Sequence, residues 1–178
     1  MAIFQPSDND FRVLAGETKT AFYDKRFLAP GVTVDDVEPG EFLGLRPQAG
    51  SRLVADTISS ASEAEANAAS AIMRVDTTKY DSVESGAVTC LDGLYILETE
   101  VYVPGASFSQ DDFVTLEYDA GFGGGVLGPL RENGSPDYAI GQVQSPPADS
   151  TNADTPMRVK MFANAMPVAT DGSGNPTG

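Results

Sequence analysis

Turn signals recur along this chain at intervals too short for anything but strands. Pro30-Gly31, Pro39-Gly40, Asp92-Gly93, Pro104-Gly105 and Pro146-Pro147 each interrupt a short run of β-branched, aromatic or aliphatic residues. Such dipeptides preset the backbone angles of a turn, and the runs between them carry the period-two pattern of a half-buried strand. Phe11–Leu14, Thr20–Tyr23, Val32–Val34, Glu41–Leu45 and Arg52–Ala55 read as strands in the first third. Ile72–Asp76, Val88–Leu91, Leu94–Val103, Phe113–Tyr118, Val126–Leu127, Tyr138–Val143 and Met157–Phe162 follow. Asp92-Gly93 reads as a hairpin turn. No strand-helix-strand rhythm suggests a parallel sheet. The expected fold is mostly β, an antiparallel β-sandwich or barrel.

One segment departs from this pattern. Ser60 followed three residues later by Glu63 is a capping-box signature, and Ala61 to Met73 is rich in alanine and glutamate. It predicts one short α-helix at about 60–73. Its apolar content is mostly alanine, so the buried face is shallow, as in a surface helix or a short connector.

The ends read differently from the middle. Residues 1–10 form an N-terminal arm in which Ile3 and Phe4 precede the breakers Pro6, Ser7, Asp8, Asn9 and Asp10. Residues 167–178, built of Gly, Pro, Asn, Thr and Ser, read as a flexible C-terminal tail. Between them, 11–166 is the β-rich domain. If the helix 60–73 serves as a connector, this domain divides into two lobes, 11–58 and 74–166.

Composition narrows the chemistry. The chain has no histidine, which removes Ser-His-Asp and Cys-His catalysis and histidine-dependent zinc sites. Its single cysteine, Cys90, rules out an internal disulfide, and its strand context reads as a small buried hydrophobe. Lys and Arg total 11 against 26 Asp and Glu, a formal net charge of −15. The basic residues are scattered singly, which argues against a nucleic-acid partner and against anionic lipid. Such acidity keeps a protein soluble, and it also suits a basic partner surface. Met1 to Phe11 lacks the basic start and apolar run of a secretion signal, and no run reaches the length of a membrane span. Synthesis in a cytoplasm is expected.

Each apparent functional motif has a plainer reading. Gly123, Gly125 and Gly128 match G-x-G-x-x-G, but Pro129 follows where a phosphate-binding helix must open. The segment Gly121 to Gly128 reads instead as a long flexible loop with Phe122 near its tip. Glu98 and Glu100 share one face of a strand, as a glycosidase pair would, and equally as a solvated strand face would. Asp8 with Asp10, Asp35 with Asp36 and Asp111 with Asp112 are further pairs of the kind an acidic chain supplies by chance. Asp149–Asp154 supplies oxygens for calcium without the spacing of an EF-hand loop. Asn133-Gly134-Ser135 matches a glycosylation acceptor, discounted by Pro136 and by the absence of a leader. No catalytic residue, cofactor or metal ligand is assigned, and the expectation is a structural or binding protein rather than an enzyme.

Five segments between Lys79 and Phe162 carry a resemblance. They are Gly86–Leu91, Leu97–Tyr102, Ser109–Leu116, Tyr138–Val143 with its Ala-Ile-Gly-Gln-Val run, and the alternating Met157–Phe162. In this order the region resembles the capsid decoration, or cement, proteins of tailed bacteriophages. It covers a little under half the chain, and residues 1–78 do not contribute. The resemblance implies a structural virion protein on the outer surface of a phage capsid, made in the host bacterial cytoplasm, that stabilises the shell by bridging major-capsid subunits. Its partners would be the major capsid protein and neighbouring copies or a homo-oligomer. Under this reading Ile3 and Phe4 in the arm and Phe122 in the glycine-rich loop are the expected partner-binding residues. The alternative is a head-fibre or tail-associated adhesin binding carbohydrate.

Overall fold

The computed structural model describes residues 11–13, 22–50, 52–75, 86–133, 135–152, 154–173 and 175–177. Ile3 and Phe4, with the arm 1–10, lie outside the described residues. The strands in chain order are β1 (Phe11–Val13), β2 (Phe22–Phe27), β3 (Phe42–Gln48), β4 (Arg52–Asp56), β5 (Ala71–Arg74) and β6 (Ala87–Asp92). After them come β7 (Tyr95–Thr99), β8 (Phe113–Asp119), β9 (Gly124–Pro129), β10 (Asp137–Ser145) and β11 (Met157–Val168). Among the described residues one α-helix, α1 (Ala61–Asn67), continues into a 3-10 turn at Ala68–Ser70. The fold is mostly β, as the turn spacing predicts.

The strands form one antiparallel sheet in the order β1-β7-β11-β10-β8-β9-β3-β5-β6-β2, with β4 paired to β3 off this path. Two parallel bridges fold the path back on itself. Leu28 beside β2 meets Ala55 of β4, so β2, β6, β5, β3 and β4 close a circuit. Tyr102, just past β7, meets Leu127 of β9, and Val103 donates its N–H to the Leu127 carbonyl at 2.8 Å. That closes a second circuit through β7, β11, β10, β8 and β9.

Each circuit encloses a core. The smaller contains Leu28, Val34, Val37, Leu43, Ala55, Ile72, Val88 and Cys90. The larger contains Leu97, Val114, Leu116, Leu127, Val143, Met157 and Val159 among others, and is joined by Phe42, Met73 and Leu91. Neighbouring residues of one strand therefore face different cores: Phe42 and Leu43 on β3, Met73 and Ile72 on β5, Leu91 and Cys90 on β6. A strand sends successive side chains to opposite faces. The sheet β3-β5-β6 is thus a wall between two apolar interiors, which explains why Ala87 to Leu91 is buried without a break. The two cores do not follow the blocks 11–58 and 74–166, because residues near Leu28 and near Cys90 share the smaller one.

Several local expectations change for tertiary reasons. The helix stops at Asn67, short of the expected 73. Ser60 Oγ accepts the Glu63 N–H at 3.3 Å, while the Glu63 carboxylate takes the N–H of Ser59 at 2.8 Å. Ala64 and Ala68 are fully buried, so alanine lets the helix lie close to the sheet. A Cβ at Gly44 would stand 2.6 Å from the Asn67 side chain, so Gly44 makes room for the end of α1. Ala71–Met73 then pair with β3 at Gly44, Leu43 and Phe42, and this pairing overrides alanine's helix preference. At Asp92-Gly93 the chain bends, with Gly93 at φ 96°, but it closes no hairpin. β6 pairs with β2 and β5, whereas β7 pairs with β1 and β11, so the bend passes the chain from one circuit to the other. Val34, expected in a strand, begins a 3-10 turn (Val34–Asp36), and it and Val37 plug the smaller core. The described part of 167–177 continues β11 to Val168 and then folds back, with Thr177 donating its N–H to the Ala169 carbonyl at 2.8 Å. Thr170 is buried there, its hydroxyl on the carbonyls of Arg131 and Ser135 at 3.2 Å each.

Candidate functional site

Phe122 lies in the turn between β8 and β9. The Asp119 carboxylate accepts the Phe122 N–H at 2.7 Å, and Gly123 at φ 82° supplies the left-handed residue that the turn requires. Phe122 thus stands near the tip of a short turn, with its ring half-buried against the larger core. The glycines after it are not a flexible loop. Gly124 to Pro129 is β9, between β8 and β3. A Cβ at Gly124 would stand 2.6 Å from Glu41 Oε1, one at Gly125 would collide with the Phe42 carbonyl, and one at Gly128 with the Glu117 side chain. The run is glycine because neighbouring strands approach its backbone, a reason unrelated to phosphate binding.

Beside β9 lies a cleft of about 740 Å³, lined by Asp111, Asp112, Phe113, Glu117, Arg131 and Glu132 among others. Its floor is a charge network centred on Arg131. Arg131 Nη1 meets Asp137 Oδ1 at 2.6 Å, Nε meets Glu117 Oε1 at 3.2 Å, and Nη2 donates to the Leu116 carbonyl. Asp137 also accepts the N–H groups of Arg131 at 2.9 Å and Tyr138 at 2.8 Å. All three guanidinium nitrogens are therefore committed within the fold. Burial raises the Glu117 carboxyl above its ordinary value, against the pull of Arg131. At the rim, Asp111 holds a left-handed backbone, φ 71°, with its N–H on the Val143 carbonyl at 2.9 Å. That conformation is uncommon outside glycine, though asparagine and aspartate tolerate it best.

A smaller cleft of about 340 Å³ lies where the two cores meet, between Phe42, Leu91, Tyr95 and Met161. Tyr95 is buried, and its hydroxyl is held well above the usual phenol range by that burial.

The other sequence motifs resolve into local structure. Glu98 of the Glu98–Glu100 pair lies opposite Arg158 on β11, with Oε2 2.9 Å from Arg158 Nη2. Glu98 is thus tied into a cross-strand contact, and Glu100 lies beyond the end of β7. In the Asp149–Asp154 segment, Asp149 Oδ1 accepts from the Thr151 N–H at 3.0 Å and its hydroxyl at 2.7 Å. Those bonds hold the Asp149 carboxyl low. Among the described residues, no three His, Cys, Asp or Glu side chains group as metal ligands. Cys90 is buried in the smaller core.

The Glu41 environment had no signal in the sequence. Glu41 is 4% exposed, at the seam where β3 meets β9. Its burial follows from three-dimensional pairing alone. Comparison with protein-family models, curated proteins and solved structures gives no match.

Proposed function

We propose that this protein is a structural component of a phage virion that binds the outer surface of the capsid and bridges major-capsid subunits. The observation that carries this reading is how the five resembling segments come together. They supply β6, β7, β8, β10 and β11, and four of these strands are consecutive neighbours in the order β7-β11-β10-β8. Four of the five segments thus form one continuous piece of the sheet, and the fifth, β6, is separated from it by three strands. The commitment of Arg131, Glu98 and Asp149 to internal contacts fits a role in binding rather than chemistry.

In this role the protein stabilises the shell by mass action, because it binds assembled subunits and not dissociated ones. Contacts that are weak singly become strong when repeated over a symmetric surface. The acidic charge keeps free copies apart until they reach the lattice. The anchoring residues are Ile3 and Phe4 of the arm, and Phe122 through the part of its ring that the core leaves uncovered.

Co-sedimentation with expanded phage capsids stripped of their outer proteins tests the proposal. Saturable binding in a fixed ratio to capsid subunits, with a raised capsid melting temperature, is the expected result. Absence of binding to such capsids from the phage that encodes this chain overturns it.

A further inference from the structure

The sheet passes from one core to the other through a narrow seam. β3 and β9 share a single registered pair, Phe42 with Gly125, whereas β8 and β9 share six. Glu41, next to that pair, is buried, and its carboxylate Oε2 accepts the Glu38 N–H at 2.9 Å. The Gly125 N–H, on the opposite strand, also favours the carboxylate. Oε1 occupies the space above Gly124 that a Cβ would fill. The Glu41 backbone is fixed as well, since its carbonyl accepts the Arg74 N–H at 2.9 Å and its N–H donates to the Glu38 carbonyl at 3.1 Å. One side chain thus links the turn before β3 to β9 at the point where the ladder is thinnest.

We propose that Glu41 is a proton-operated latch on the β3–β9 seam, closed when its carboxyl is protonated and loosened when it is ionised. The protonated group sits uncharged in the buried space and keeps oxygens to accept the two N–H groups. The ionised group accepts those hydrogen bonds more strongly but must be held away from water beside other charges. The charged groups facing it are Glu38, on the turn before β3, and Arg74, on β5. β9 presents only the glycines Gly124 and Gly125 at this point.

Desolvation is the largest influence and pushes the Glu41 carboxyl up to about 7. The N–H groups of Glu38 and Gly125 pull it down, Glu38 repels it, and Arg74 attracts it. The folded value lies above the ordinary one of 4.5. The latch therefore contributes its full stability below pH 4.5 and loses it as pH rises through about 7. The seam is tightest in mild acid and weakest above neutrality.

The test uses the whole chain. The Glu41 carboxyl is followed by NMR from pH 4 to pH 9, conditions chosen to bracket both values, and amide exchange is read at Gly125 and Val126 after correction for intrinsic rates. With Glu41 at its ordinary value in the opened seam, the opening equilibrium rises about tenfold between pH 6 and 8. Glu41→Gln, neutral at every pH, abolishes that rise. A Glu41 carboxyl that titrates near 4.5, or identical corrected exchange profiles in the two proteins, overturns the latch. Should Glu41→Gln fail to fold, the wild-type titration decides the matter by itself.

Discussion

Arg131 Nη1 and Asp137 Oδ1 stand 2.6 Å apart, with side chains 12% and 2% exposed. Asp137 also caps two backbone N–H groups, so its removal takes away one of the partners of the Arg131 guanidinium and leaves both N–H groups without that acceptor. Breaking a buried pair from one side costs about 3–5 kcal/mol. Asp137→Ala is expected to lose stability of that order in urea unfolding, and Arg131→Met somewhat less. The double variant should lose less than the sum, since the two groups interact directly. Strict additivity would show that the pair is energetically idle.

Glu117 shares that network and gives it a pH dependence. Burial is the largest influence on its carboxyl and raises it above 4.5. A raised carboxyl binds its proton more tightly in the folded state, so its contribution is full below 4.5 and falls as pH rises through the folded value. Unfolding free energy measured from pH 5 upward should decline, and Glu117→Gln should flatten the decline. A variant with an unchanged slope contradicts this account.

Gly125→Ala places a methyl group against the Phe42 carbonyl and near Ile58. Backbone cannot yield as a side-chain tip can, so a loss of about 2–4 kcal/mol is expected. Gly50, with open space around it and φ 94°, is the control: alanine there costs only the strain of a left-handed residue, about 1 kcal/mol. Chemical denaturation of both variants checks the order.

Phe122→Ala separates packing from partner binding. The ring is half-buried on the larger core, so its loss should lower stability by about 1–3 kcal/mol. Under the proposed function it should also weaken capsid binding at temperatures where the variant is fully folded. Lowered stability with unchanged capsid affinity removes Phe122 from the interface.

Cys90 is fully buried in the smaller core. A thiol reagent should react with the native protein only through opening, and at once in denaturant. Prompt reaction under native conditions would show that the smaller core opens readily.

The alternation of Met157, Val159 and Met161 with Arg158 and Lys160 was legible because one face of β11 meets a core and the other meets water. The mostly-β class and the existence of α1 followed from turn chemistry and capping, which act over a few residues. Cys90 as a buried hydrophobe was legible on the same local grounds. The continuous burial of β6 was not, since period two disappears when both faces of a strand are covered. Asp92-Gly93 carries a local turn signal, but which strands a turn joins depends on partners distant in sequence. The glycines of β9 likewise read as a loop because the reason for them is close approach by neighbouring strands: Glu117 from the preceding β8, and Glu41 and Phe42 from a strand far away in the chain.

The sequence by itself determined where the chain turns, which short runs extend and which charges it carries, because these depend on neighbouring residues. Only the tertiary structure decided that β3, β5 and β6 would separate two cores, that Arg131 would be enclosed by Glu117 and Asp137, and that Glu41 would be buried at the seam. The first and last depend on strand pairing across long stretches of chain, and the second on how β8 and β10 come together around the segment between them. Such pairing is set by how the apolar faces of all the strands are covered together, a condition no single segment contains.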